Sequence, residues 1–259
     1  MMQRVRLSRW GRSPYETAAD ILLEADSLKE WVSIRPEGAD AEIVVIHSKI
    51  PFGSEEHGRA PSLQLLVTTT SGTDHIDLVH FQERGIPVCR LPEARRDAVV
   101  EMTIAMLIWG MRGVGSMQEA ARQGLWARGR LSEMCSIGLR GSRIGVVGLG
   151  VIGRQLCQVL HPFGVEIWGT DPKGVPEGVQ EVPLAEMMGH CDAVTLHCAL
   201  DGSTQSLLSA GVLDGAHPDL VIVNTARGSI VDVNHAVEMV RSRRLGALAL
   251  DVFPQEPWP

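Results

Sequence analysis

Read by the spacing of its apolar positions, the chain alternates between short extended runs and helical stretches. Val5 to Leu7 is an extended run, a helical pattern covers Glu16 to Ala25, and Trp31 to Ile34 and Glu42 to His47 read as strands. Leu63 to Thr69 follows as a strand, Asp77 to Arg84 as a helix and Pro87 to Arg90 as a strand. Asp97 to Val114 carries apolar residues at helical spacing through Val99, Val100, Thr103, Ile104, Leu107 and Ile108, and begins with an aspartate able to cap. A polar segment with few strand signals, Ser116 to Ser142, comes next. Strands are then predicted at Arg143 to Gly148, Glu166 to Thr170, Ala193 to His197, Leu220 to Asn224 and Ala247 to Val252, with an amphipathic helix from Arg154 to Leu160. Strands and helices taking turns in this way predict an α/β protein with two parallel sheets wrapped by helices. Polar residues gather at the strand ends, where open α/β sheets present ligand loops.

A chain of 259 residues has room for two ordinary domains. Its 44% hydrophobic content, 27 glycines and 4% aromatic residues fit a soluble α/β protein with many tight turns. A formal charge of −7 disfavours nucleic acid or an anionic membrane as the main partner, so any anion site has to be local. The five cysteines (Cys89, Cys135, Cys157, Cys191, Cys198) form no C-x-x-C pair and read as small buried hydrophobes of a cytoplasmic protein. The charged N-terminus is not followed by an apolar core such as a secretion signal has, and Met102 to Met111 is too short to span a bilayer.

The most specific local signal is Arg143 to Gly153, an apolar run passing into G-x-G-x-x-G, with Asp171 eighteen residues beyond the last glycine. Gly148 allows the tight turn out of the strand. Gly150 keeps side-chain atoms away from an approaching pyrophosphate, and Gly153 lets the new helix lie against the strand. The N-terminus of that helix, beginning at Val151 and Ile152, then meets the phosphate charge. Asp171 would accept from both ribose hydroxyls and repel a 2′-phosphate, which favours NAD over NADP, although Lys173 stands close by.

Two later strands also end in chemistry. Val221 to Asn224 runs into Thr225-Ala226-Arg227-Gly228, and an arginine there can hold a carboxylate by two parallel bonds while polarising a carbonyl. It can equally cap a sheet edge or pair with a surface carboxylate. Leu248 to Val252 runs into Pro254-Gln255-Glu256, placing Asp251 and Glu256 beside Arg227 if the strands are aligned; taken singly, Glu256 is also what a solvated loop would show.

In order along the chain, Thr70 to Asp77, Val100 to Thr103, Gly148 to Gly153 with Asp171, Asn224 to Asp232 and Leu250 to Pro257 resemble the D-isomer-specific 2-hydroxyacid dehydrogenases. The likeness implies a flavodoxin-like substrate (catalytic) domain over 1–96 and a Rossmann NAD-binding domain over 97–259, the latter including the interdomain helix. It implies an NAD-dependent oxidoreductase interconverting a 2-oxo acid and a D-2-hydroxy acid by hydride transfer, and a homodimer joined through the cofactor domains. Arg227 resembles the family's substrate-binding arginine, and Glu256 the glutamate that supports a histidine general acid. Ser71 and Gly72 match the loop whose N–H groups take the substrate carboxylate. Thr103, His197, Cys198, Ala199, Thr204, Thr225, Ala226 and Asp251 match positions along the nicotinamide half of the cofactor.

The sequence also departs from the pattern. The family's catalytic histidine lies beyond the glutamate, and the sequence stops at Pro259 first. It therefore reads as a piece of a longer protein or as a natural short variant. Of the nine histidines His47 is the least implausible substitute. Met102 and Ala199 stand where relatives often have histidine and proline. Lys49 could meet a second acidic group on the substrate, although a loop lysine is ordinarily solvated. Two other functions stay open on these residues: an NAD-binding regulator, and a dehydrogenase of another small oxyanion of the formate or phosphite type.

Overall fold

The computed structural model describes residues 5–10, 31–35, 37, 40–47, 50–126 and 137–257. The predicted helix at Glu16–Ala25, the Ser48–Lys49 pair and Cys135 lie outside the described residues. The chain divides into two compact units, Met1–Arg95 and Arg96–Pro259.

Unit 1 holds a five-stranded sheet of β1 (Val5–Trp10), β2 (Val32–Arg35), β3 (Ile43–Ile46), β4 (Leu65–Thr68) and β5 (Val88–Arg90). All pairings are parallel, in the order β2-β1-β3-β4-β5. Helix α1 (Ser54–Gly58) precedes β4, and α2 (Leu78–Glu83) precedes β5. Asp77 caps α2 by accepting from the His80 N–H at 3.0 Å, the use for which an aspartate before an apolar turn is suited. Trp10, Val44, Ile46, Phe52, Leu66 and Phe81 form the centre of this unit's core.

Unit 2 opens with α3 (Arg96–Met111) and α4 (Val114–Arg122). The apolar spacing predicted one helix from Asp97 to Val114. Instead the helix breaks at Gly113, whose φ of +60° leaves the helical region at a position where glycine carries no Cβ penalty. A second helix from Val114 then enters the polar segment with few strand signals. Nor does Asp97 cap: it sits inside the first turn, its carboxylate taken by the Arg96 guanidinium. One face of α3 buries Val100, Thr103, Leu107, Gly110 and Met111. Gly110 is required there, because a Cβ would lie 2.6 Å from Val221 Cγ1. The opposite face leaves Met102, Ile108 and Trp109 exposed.

The second sheet contains β6 (Arg143–Val147), β7 (Glu166–Thr170), β8 (Gln180–Glu181), β9 (Ala193–Leu196), β10 (Val221–Asn224) and β11 (Ala247–Leu250), all parallel, in the order β11-β10-β9-β6-β7-β8. Helices α5 (Val151–Leu160), α6 (Leu184–His190), α7 (Ala210–Leu213) and α8 (Val233–Arg241) connect them. Every residue of β9 and β10 is buried, as expected of parallel strands covered on both faces. Alternate residues divide between two cores: Ile144, Val146, Val221 and Val223 meet α3 and α5, while Val147, Val194, Leu196 and Ile222 meet α6 to α8. Arg143 lies over the Trp168 ring at 4.3 Å, and the indole N–H donates to Glu166 at 2.7 Å. Among the described residues no single helix is long and apolar enough to cross a membrane.

Strand order in unit 2 reverses between β6 and β9, whose chains leave toward opposite edges. The crevice at the carboxyl ends of such a pair is where open α/β sheets bind ligands.

Candidate functional site

The crevice is shaped first by three glycines, each for a different reason. Gly148 has φ +89°, and a Cβ there would lie 2.5 Å from the Cys198 backbone nitrogen, so the turn after β6 and the chain after β9 touch only because no side chain intervenes. The Gly148 N–H donates to Thr170 O at 2.9 Å and the His197 N–H to Val147 O at 2.7 Å, extending the ladder to the rim. At Gly153 a Cβ would meet Gly148 O at 2.1 Å. At Gly150 it would meet nothing within 4 Å.

That open space fits a bound dinucleotide. Gly150 is the N-cap of α5 and supplies no side-chain cap. The Arg154 N–H donates to Gly150 O at 3.0 Å, while the N–H groups of Val151, Ile152 and Gly153 have no acceptor among the described residues. A pyrophosphate would satisfy them, aided by the helix dipole. Asp171, just past β7, is held against this loop: its Oδ2 accepts from the Leu149 N–H at 2.7 Å and its Oδ1 from the Lys173 N–H at 2.8 Å. Each carboxylate oxygen keeps acceptor capacity for a ribose hydroxyl.

Beyond β9, His197 Nε2 lies 2.8 Å from Thr195 Oγ1, and burial pushes the imidazole pKa down to about 4. The ring is therefore neutral at physiological pH. Burial also raises the Cys198 thiol to about 11, so it stays protonated. Ala199 is exposed, and its carbonyl accepts from Thr204 Oγ1 at 2.6 Å. Thr204 Oγ1 also accepts from the Asp201 N–H at 2.8 Å. The Thr204 hydroxyl is thus engaged in closing the 199–204 loop.

β10 ends on Asn224, a polar side chain at the end of a wholly apolar strand and fully buried. Its Nδ2 donates to Arg227 O at 2.9 Å, and its Oδ1 accepts from the Ala226 N–H at 3.0 Å. One amide closes the whole Thr225–Arg227 turn. The Asn224 carbonyl also accepts from the Asp251 N–H at 3.0 Å, tying in the end of β11. Thr225 Oγ1 lies 3.1 Å from Thr103 Oγ1, and the Thr103 hydroxyl donates to Val99 O at 2.8 Å, so α3 is bonded to the same turn. Arg227 Nη1 donates to Ala226 O at 2.8 Å. At Gly228 a Cβ would fall 2.0 Å from the Phe253 carbonyl carbon, so the backbone leading to Glu256 crosses directly over the turn that carries Arg227. Glu256 itself is exposed, its Oε1 accepting from the Phe253 N–H at 3.2 Å.

The turn-side residues predicted from sequence, Gly148 to Gly153, Asp171, His197 to Ala199, Thr225 to Arg227 and Asp251, therefore share one edge of the unit 2 sheet, with Thr103 bonded to it. Ser71 and Gly72 belong to unit 1, on the loop after β4, and Lys49 lies outside the described residues. Asn224 was visible in sequence only as part of a motif; the signal was a polar residue closing an apolar strand. A separate cavity of about 810 Å³ opens beside Ser206, Ser209, Ser229, Asp232 and Asn234, and no dinucleotide-motif residue lines it. Among the described residues no group of three or more His, Cys, Asp or Glu could hold a metal.

Comparison with known proteins agrees with this geometry. Residues 104–259 match the family described as D-isomer specific 2-hydroxyacid dehydrogenase, NAD binding domain. A D-3-phosphoglycerate dehydrogenase of Sus scrofa is 31% identical over 84% of this chain and 41% of its own length. The protein of the same name from Methanocaldococcus jannaschii is 31% identical over 94% of this chain and 48% of its own. The chain thus spans less than half the length of these curated relatives. Among solved structures, D-lactate dehydrogenase from Aquifex aeolicus, complexed with NAD and lactic acid, superposes with a TM-score of 0.84 at 22% identity, over 97% of this chain and 78% of that one. NAD-dependent formate dehydrogenase from Staphylococcus aureus does so with 0.81 at 24%, over 98% and 83%. These two likenesses establish the fold. The family match goes further: the chain belongs to the D-isomer specific 2-hydroxyacid dehydrogenases and carries their NAD-binding domain.

Proposed function

We propose that this chain interconverts a 2-oxo acid and a D-2-hydroxy acid with NAD, using Arg227 as the substrate anchor. The observation that carries this reading is the Asn224-closed turn, which fixes the arginine backbone at the end of β10. Only β9 separates that strand from the glycine loop of β6, so the two strand ends stand about 10 Å apart, at roughly 4.8 Å per strand. Bound NADH supplies the hydride. The Arg227 guanidinium holds the substrate carboxylate by parallel bonds and draws electron density from the carbonyl oxygen, making the carbon a better acceptor. Thr103, Thr225, His197 and Cys198 line the nicotinamide half, and Gly150, Val151, Ile152, Gly153 and Asp171 hold the adenosine and phosphate half. Glu256 supports the group that protonates the oxygen. His47 is poorly suited to that proton transfer through Nε2: Arg95, which can only donate, contacts that nitrogen at 3.2 Å, so the nitrogen is an acceptor.

The test is NADH oxidation, followed at 340 nm, with a panel of 2-oxo acids and with Arg227→Ala alongside. Turnover that falls by two or more orders of magnitude in the variant, with NADH affinity kept, is expected; equal rates would remove Arg227 from the mechanism. We further propose a cytoplasmic homodimer joined through the apolar face of α3 around Met102, Ile108 and Trp109. Light scattering that returns a monomer at micromolar concentration would refute that assembly.

A further inference from the structure

Helix α1 of unit 1 is five residues long and buries none of them. A helix of that length does not hold by propensity. Its start is closed by its own Glu56, whose Oε2 accepts from the Gly53 N–H at 2.9 Å. His57 then carries it to α2: His57 Nδ1 lies 2.9 Å from His80 Nε2, and both rings pack against the buried Phe81, with centroids 5.7 and 4.9 Å away.

The two rings meet head-on. Their centres are 5.2 Å apart, which is the 2.9 Å contact plus one ring radius on either side. The nitrogens therefore lie on the line between the rings, with in-plane lone-pair directions aimed at one another. In the hydrogen-bonded state one of them donates a proton and the other accepts it. The second nitrogen of each ring, Nε2 of His57 and Nδ1 of His80, has no partner among the described residues. The donor ring can carry its proton there instead, which leaves two lone pairs facing each other. Burial, then His80 and Arg84, hold the His57 imidazole below its ordinary pKa, which keeps it neutral at pH 7.5.

Facing neutral imidazoles are ligands for borderline divalent transition ions. Zn–N bonds of about 2.0–2.1 Å at a tetrahedral angle would set the nitrogens about 3.3–3.4 Å apart, so the pair has to open by only about 0.4–0.5 Å. Helix α1, with no residue buried, can give that much, and both rings are half-buried, within reach of water. The surroundings are net acidic: α1, α2 and their caps carry Glu55, Glu56, Asp77 and Glu83 against Arg59 and Arg84. Arg59 lies over the Trp10 ring, and Arg84 donates to His80 O at 3.1 Å and pairs with Glu83 at 3.8 Å. An excess of carboxylates raises the local concentration of a dication.

We propose that His57 and His80 form a two-ligand site for a divalent transition ion of the zinc or nickel class, with water completing the coordination, and that the ion clips α1 to α2. Both ligands belong to unit 1, so the site is independent of the dehydrogenase chemistry. An ion that binds only the folded unit raises its melting temperature.

The test is titration with zinc chloride at pH 7.5, followed by calorimetry and by melting temperature, on the chain without an affinity tag and on His57→Gln, His80→Gln and His190→Gln. Magnesium chloride serves as the ion that prefers oxygen ligands. The unaltered chain should bind zinc saturably and melt higher with zinc than with magnesium. Each of the first two substitutions should raise the zinc Kd by at least about tenfold, the loss that removing even an outer partner of a metal ligand brings. His190→Gln, at the exposed end of α6, should leave it unchanged. Zinc binding that neither His57→Gln nor His80→Gln weakens, an equal effect of magnesium, or no binding at millimolar zinc overturns the proposal. Circular dichroism checks folding, and nitrogen NMR of the imidazoles in the unaltered chain gives a test that needs no variant. There zinc should move ring-nitrogen signals of two histidines out of nine, with Nδ1 coordinated in one and Nε2 in the other. Movement of none, or of a pair coordinated through the same nitrogen, overturns the site as well.

Discussion

Gly150→Ala adds one methyl group where nothing beyond its two chain neighbours lies within 4 Å. The backbone there, with φ −75° and ψ −156°, is open to any L residue, so the change brings no strain. Alanine gains about 0.4–1 kcal/mol by restricting the unfolded chain, and loses a similar amount as a poorer N-cap than glycine. The two offset, and the melting temperature should stay within about 3 °C. Cofactor binding should respond differently, because the methyl group projects beside the free N–H groups of Val151, Ile152 and Gly153. Over-packing of this size costs about 1–3 kcal/mol, a rise in NADH Kd of about 5- to 150-fold. Gly153→Ala is the contrast: its Cβ would sit 2.1 Å from Gly148 O, a backbone atom that cannot swing aside, so here the fold yields and the melting temperature drops. Differential scanning fluorimetry and NADH fluorescence titration read the two effects separately. An NADH Kd for Gly150→Ala within about twofold of the unaltered protein would refute the placement of the pyrophosphate. Equal losses of melting temperature in both variants would refute the separation of cofactor space from protein space.

Three further outcomes follow from the same contacts. Gly228→Ala would force Phe253 away from a 2.0 Å approach toward the ordinary 3.5–4.0 Å, displacing the segment that carries Glu256; kcat should fall by about 100-fold at unchanged NADH affinity, and retained kcat would show that the crossing is incidental. Asn224→Ala strands Arg227 O and the Ala226 N–H, costing about 2–4 kcal/mol in urea unfolding; a loss under about 0.5 kcal/mol would mean the turn holds itself. For His197, folded pKa about 4 against an ordinary 6.5, only the unfolded chain takes the proton as pH falls through 6.5. Stability should therefore drop between about pH 6.5 and 4, by up to about 3 kcal/mol, and this group's contribution should level off below. Urea melts at pH 7.5, 5.5 and 4.5 should show a shallower slope in His197→Gln; an identical slope would move the cause elsewhere.

What was readable in the sequence is what depends on neighbours in the chain. Gly148, Gly150, Gly153 and Asp171 announce themselves because the turn, helix start and next strand end are all local, and β9 and β10 because parallel strands buried on both faces need unbroken apolar runs. The α3–α4 break escaped periodicity, since the apolar spacing runs through Gly113 and only its left-handed φ ends the helix. Short helices such as α6 were missed for a related reason. Seven residues cannot hold a helix by propensity, and it is the burial of Met187 and Met188 that keeps this one. The bonds of Asn224 and the reach of Arg95 to His47, forty-eight residues away, are settled by tertiary placement that no window of sequence contains.

The hydroxyl pair that joins α3 to the β10 turn also has a direction. A threonine hydroxyl has a single proton, and that of Thr103 is committed to Val99 O, so in the 3.1 Å contact Thr225 must be the donor. Its own proton is then spent, and only lone pairs remain to face the groove. This spot can accept but not donate: an amide group seated against it would turn its NH₂ inward and its oxygen away. The Thr103 hydroxyl, by fixing the direction of this contact, thereby sets which way round a ligand can bind. Thr103→Val releases the proton and with it the preference, a change that NADH affinity would register.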